Sequence, residues 1–206
     1  MLRVVRRASM LLTLLVLPLG FATPVLADES LSFVAPTTLD VFVVDPVNGQ
    51  GYRPARPNDD PISALFDAKG NPIALTFAKW AHATGSTERF PAGDGVAPRF
   101  RFSFTNLVPF GLYSIFVEHA SPDGMNFVPF SDRAVSLLAS EEGTLDLTTR
   151  VGFPLAPNDT IVLLYHSDGQ TPTSVTNADL GQTVHEQLLL APSLPAPDSA
   201  ETEPKF

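Results

Sequence analysis

The residues best equipped for chemistry lie in one heptapeptide, Tyr165-His166-Ser167-Asp168-Gly169-Gln170-Thr171, directly after an apolar run. An imidazole beside a carboxylate can ligate a metal, orient a ligand or move a proton, and loops beyond strand ends are where β-sandwiches place binding groups. His166 and Asp168 are therefore candidate binding or metal-ligating residues. Tyr165 and Gln170 stand beside them, and His185 or His119 would join if the fold returned them to the same place. The competing reading is structural and is preferred: Asp-Gly reverses a chain readily, and the polar side chains of such a turn bond local backbone. A second polar group, His185-Glu186-Gln187-Leu188, opens the last apolar segment. Period two puts His185 and Gln187 on one face of a strand, where they could complete a cluster with the heptapeptide or simply fasten a loop.

Other chemistries find less support. Zinc or copper needs three or four converging ligands, and the four histidines, 82, 119, 166 and 185, show no short ligand spacing. The metal candidates are thus His119, His166, His185 and Asp168, as an alternative to a protein without a cofactor. Blue copper requires a thiolate and the chain has no Cys. Calcium could be held by Asp45 and by Asn58-Asp59-Asp60, although such residues more often form turns and caps. A nucleophilic hydrolase is not indicated: there is no Gly-x-Ser-x-Gly elbow, and no Ser stands recognisably against a His and an acid. A carbohydrate-binding surface would need exposed aromatics, for which Tyr52, Phe127 and Phe130 are the candidates.

The elements that must position these groups read as strands. Twenty Pro and thirteen Gly punctuate short apolar runs, and no helical period persists beyond about two turns. Phe100, Phe102 and Phe104 alternate with polar residues over 99–105, and Leu145, Leu147, Thr149 and Val151 repeat the pattern. Segments 39–44 and 161–165 are apolar almost throughout, as central strands covered on both faces are. With 75–81, which carries Trp80, and with 112–119 and 184–190, this makes seven strands. Residues 134–139 supply an eighth strand or a short helix. One brief helix is expected at 61–66, capped by Asp60, inside a long loop over 45–73. The fold class implied is all-β: an antiparallel sandwich of seven to eight strands.

The segment from Phe104 to Tyr113 resembles the tyrosine corner of immunoglobulin-like and fibronectin-type sandwiches. There a Tyr following a Leu and a Pro-Gly turn bonds back to upstream backbone. Tyr113 would take that part, although Phe110 stands between Pro109 and Gly111. More widely, Trp80, the run from Asn106-Leu107 to Phe116, the string from Leu164 to Thr171, and His185 with Gln187-Leu188 resemble a group of uncharacterised exported β-sandwich proteins of bacteria and haloarchaea. These motifs span 75–190; members often carry Gly soon after the Thr, where this chain has Pro172 and Thr173. The resemblance implies export and an immunoglobulin-like fold, and because the group has no assigned activity it implies no reaction.

Export is also expected from the first 27 residues: Arg3, Arg6 and Arg7 precede a ten-residue apolar run over 10–19, and Val25-Leu26-Ala27 offers a cleavage site. Such a run is short of the ~20 residues a membrane span needs. A periplasmic or extracellular location follows, with no membrane span once the signal is removed. The sandwich domain would occupy 28–191, and the Pro-rich acidic stretch 192–206 is expected to be a disordered tail. Beyond residue 27 stand 10 basic and 22 acidic residues, and no Lys/Arg cluster is visible in the linear sequence. Nucleic acid and anionic membranes are therefore not expected partners. The expectation is a non-catalytic binding or surface-associated structural module with an unidentified ligand or protein partner. A metal-binding protein and a carbohydrate-binding module are the alternatives.

Overall fold

The computed structural model describes residues 29–47, 49, 51–90, 96–121, 124–171 and 174–190; the expected signal segment and tail lie outside them. All strand pairs between named strands are antiparallel and fall into three sheets.

The first sheet has the order β1-β6-β7-β11, formed by Glu29–Ser32, Thr84–Phe90, Arg99–Thr105 and Leu145–Arg150. Its inner face is made by β7: Phe100, Phe102 and Phe104 are all but fully buried, and their rings stack along the strand. Phe130 meets the first two edge-on, and Phe33 meets the second and third. Burying each ring contributes roughly 2–3 kcal/mol. The alternation that predicted β7 is thus the alternation of its burial.

The second sheet runs β10-β8-β12-β13 through Leu137–Leu138, Leu112–Ser121, Thr160–His166 and Val184–Leu190; β9, Gly124–Pro129, also pairs β8. Tyr113, Ile115 and Val117 of β8, with Ile161, Leu163 and Tyr165 of β12, share the main core with the Phe rings. The opposite face carries a second core of Phe116, Phe127, Val162, Leu164, Val175 and Val184. Strand β12 is therefore buried on both faces, the physical reason for its unbroken apolar run.

A third, smaller sheet, β3-β2-β4-β5, is built from Tyr52–Pro54, Phe42–Val44, Ala64–Phe66 and Pro72–Thr76. Thirteen strands are thus present among the described residues, rather than seven or eight: the expected long loop over 45–73 contains β3 and β4, and β1, β6 and β9 add to the expected set. Segment 39–44 is corrected as well: only Phe42–Val44 is strand, and Val43 alone of the three is buried. Around Pro61 the expected helix is a turn: Ser63 N–H donates to Asp60 O, Ile62 N–H donates to Asp60 Oδ1 at 3.1 Å, and the chain then enters β4. Pro61 fits the second position of that turn as well as it fits a helix start. Residues 132–134 form a 3-10 turn and 137–138 the short β10.

Trp80 also moves class. Strand β5 ends at Thr76, and Phe77–Ala81 is one helical turn, α1, with Phe77 and Trp80 three apart on its buried side. Reading 75–81 with period two obscured this spacing. After β1 the chain crosses between the two large sheets: Phe33 N–H donates to Gly85 O, while Val34 and Leu189 exchange both backbone hydrogen bonds.

Candidate functional site

Sheet geometry decides what the polar candidates can do together. In register, Tyr165 stands opposite His185 and both face the main core; His166, one residue on, faces the second core. A register shift at Leu163/Leu164 leaves Gln187 unpaired in the ladder. This bulge allows both Gln187 and Leu188 to reach the inner side.

There Gln187 meets Tyr113. The Tyr113 hydroxyl accepts from Val108 N–H at 2.9 Å and donates to Gln187 Oε1 at 2.9 Å, with Tyr113 wholly buried. Gln187 Nε2 lies 3.5 Å from Trp80 O. The corner expected from the Phe104 to Tyr113 segment thus has its hydroxyl-to-backbone bond. Phe110 adopts the left-handed conformation, φ 55°, that a glycine would supply there.

Trp80, Tyr165 and His185 form an aromatic group above this bond, with Trp80 edge-on to Tyr165 at 5.9 Å and Tyr165 stacked on His185 at 6.1 Å. His185 is fully buried; its Nδ1 lies 3.1 Å from Asp40 O and its Nε2 3.0 Å from Ser167 Oγ. Because a carbonyl can only accept, Nδ1 carries the proton and Nε2 accepts from Ser167. Burial keeps His185 below its ordinary pKa. On the far face His166 Nε2 is 2.7 Å from Ser114 Oγ, and burial pushes the imidazole down to about 4.

Asp168 and Gln170 sit outside on an exposed turn: Gln170 N–H donates to Asp168 Oδ1 at 3.0 Å, Gly169 N–H donates to His166 O, and Gly169 has φ +66°. The expected single cluster is therefore divided among a core network, a second core and a surface turn. His119 is remote: Leu112 pairs with His166, and His119 lies seven residues farther along β8, roughly 23 Å at ~3.3 Å per residue. It bonds Asp159 Oδ1 at 2.6 Å instead. Among the described residues no three His, Asp or Glu side chains stand where they could hold a metal ion.

The other candidates are engaged too. Both Asp59 oxygens accept from the Arg53 guanidinium, which holds that carboxyl below its usual range. Val47 N–H donates to Asp45 Oδ1. Tyr52 leans on Phe66, while Phe127 and Phe130 are buried, so no exposed aromatic row forms from these three.

Asp40 is not marked in the sequence, and Glu186 is marked only as a member of its polar group. Asp40 Oδ2 accepts from Glu186 N–H at 2.8 Å, and Oδ1 is buried with no hydrogen-bond partner among the described residues, 4.0 Å from His185 Nδ1. Burial pushes Asp40 up to about 7, and burial with the nearby Glu118 does the same for Glu186. The expectation that no Ser stands against a His and an acid is corrected, since Ser167, His185 and Asp40 follow one another. The arrangement is nonetheless a fastening: His185 is held by the Asp40 carbonyl rather than its carboxylate, it is sealed from solvent, and Ser167 Oγ also lies 3.3 Å from Thr183 O across the turn.

An open cavity of about 400 Å³ lies elsewhere, at the end of the sandwich where β6 and β11 finish and β7 begins. Phe100, Val151, Phe153, Pro154 and Leu155 make its apolar wall, and Arg89 joins them. Arg89 pairs with Phe100 in register and so projects from the core side of β6; Glu29 of β1 stands opposite it on the other side. Its Nε is buried with no hydrogen-bond partner among the described residues. Nothing in the sequence marked Arg89, because its strand lacks an apolar alternation. No family model matches this chain, and no curated protein or solved structure shows a significant match to it.

Proposed function

We propose that the protein is an exported, non-catalytic binding module on an immunoglobulin-like sandwich, whose ligand is a small apolar molecule bearing one acid group. The Tyr113 corner supports the immunoglobulin-like reading, and the basic, apolar and small-residue order of residues 1–27 supports export. The observation that carries the ligand is Arg89, a guanidinium whose buried Nε has no hydrogen-bond partner among the described residues, in the wall of an otherwise apolar cavity. A cavity of this size suits a small ligand, and a few convergent polar groups in an apolar site fix ligand orientation. A carboxylate is the natural complement of a guanidinium fork.

The test is calorimetric titration with decanoate and with decanol. Decanoate should bind more tightly than the alcohol, and Arg89→Met should erase that preference while apolar binding persists. Failure of both compounds to bind the folded protein would overturn the reading, as would an acid preference that survives in Arg89→Met.

A further inference from the structure

The chain is acidic beyond residue 27, yet five of its seven arginines there, at 89, 99, 101, 133 and 150, gather at one end of the first sheet. Three of them line one cleft of about 460 Å³: Arg99 on β7, Arg150 on β11 and Arg133 on the 3-10 turn. Arg99 and Arg150 are direct cross-strand partners, an arrangement of like charges that opposes folding. A folding requirement alone gives no reason to keep it.

Each guanidinium keeps donors available. Arg99 stacks over the Phe90 ring at 4.7 Å, which occupies its flat face and leaves its N–H edge open. Arg150 donates from Nη1 to Ala97 O, which fixes its position and leaves its other donors. Arg133 makes no hydrogen bond or ion pair among the described residues. Thr148 adds a hydroxyl, and Asp132 is the one carboxylate in the lining, so the cleft is net positive. Arg101, next along β7, already faces Glu88 at 3.9 Å.

We infer that this cleft is a site for a tetrahedral oxyanion, the phosphate or sulfate group of a free ion or of a monoester, gripped by Arg99, Arg133 and Arg150. Guanidinium forks match two oxygens of such a group at once, and bound anion turns the Arg99 and Arg150 repulsion into a shared attraction. The site is separate from the Arg89 cavity, with which its lining shares no residue.

The test uses the full mature chain and four probes: inorganic phosphate, inorganic sulfate, phenyl phosphate and phenyl sulfate, titrated by calorimetry at ionic strength matched with chloride. Binding of at least one probe is expected, with Arg133→Gln and Arg99→Gln each weakening it about tenfold or more. Tighter binding of the esters would identify an esterified ligand, and equal binding a free ion; either supports the site. Arg89→Met should leave these affinities unchanged, so failure here and failure of the cavity reading are distinguishable. The inference is overturned if no probe binds, if chloride competes as well as the oxyanions, or if both Gln variants, folded by circular dichroism, bind like wild type.

Discussion

Replacing Tyr113 by Phe removes one oxygen and leaves two buried groups without a partner. Val108 N–H and Gln187 Oε1 each lie at 2.9 Å from that hydroxyl, on residues that are 3% and 1% exposed. A buried polar group left unsatisfied costs about 1–3 kcal/mol, so the loss should be about 3 kcal/mol in total. For a domain of this length each kcal/mol lowers Tm by ~2–4 °C, which sets the expected fall at roughly 6–12 °C. Thermal unfolding followed by far-ultraviolet circular dichroism, with Trp80 fluorescence as a second probe, reads it directly. The decisive comparison is a double-mutant cycle. Gln187→Leu removes the acceptor, so Tyr113→Phe in that background should cost about 1 kcal/mol less than in wild type or better, because only the Val108 donor is then orphaned. A Tyr113→Phe variant within ~0.5 kcal/mol of wild type would refute the reasoning, as would strictly additive substitutions.

Phe110 holds a left-handed φ of 55° with its ring 63% exposed, so Phe110→Gly should raise stability by up to about 1 kcal/mol in urea unfolding. Gly143 has φ +71° and an added Cβ would sit 2.4 Å from Leu107 O; Gly143→Ala should therefore lower the urea midpoint well beyond a surface glycine change such as Gly169→Ala. Stability should respond to pH in two opposing ways. Asp40 and Glu186, raised to about 7, hold protons in the folded chain that the unfolded chain releases near 4, so their contribution is full below that point and is lost as pH climbs toward 7. His166, lowered to about 4, contributes fully above its ordinary 6.5 and loses that contribution as pH falls toward 4. Asp40→Asn should accordingly show a steeper rise in urea midpoint from pH 4 to 6.5 than wild type; an unchanged slope would rule the argument out. Ser167 should remain unmodified by a fluorophosphonate in mass spectrometry while Ser167→Ala lowers stability by about 1 kcal/mol, and a covalent adduct at Ser167 would contradict its fastening role.

The strands legible in the sequence are those whose side chains follow the two-sided rule of a sheet. Strand β7 alternates because one face is core, β12 is apolar throughout because both faces are, and the Tyr113 corner shows itself by a local motif. Strand β6 escaped for a steric reason. Its core-facing Gly85 lies under the Phe104 ring, where a Cβ would come within 2.4 Å, and Thr87 and Arg89 follow at the next inward positions. The bulky partner strand takes the space, so the inner face of β6 is small and polar and carries no hydrophobic signal. The candidate site was legible in its residue types but not in its grouping, because one step along a strand sends His166 and Tyr165 to opposite faces. The arginine cleft is invisible in the linear order for the converse reason: Arg99 and Arg150 are brought together only by the β7 and β11 register.

The segment Glu29 to Val34 touches both large sheets, lying along β6 and then sharing paired backbone bonds with Leu189 of β13. A handful of residues thus covers the margin of β6 and pins β13 at one point. Proteolytic trimming at that end would bare the row of amides and carbonyls along β6 and free the Leu189 amide and carbonyl of β13, and such edges recruit strands from other copies. Loss of this short piece should therefore show as self-association at concentrations where the intact chain stays dispersed, together with loosening of the Phe layer, because Phe33 leaves with it.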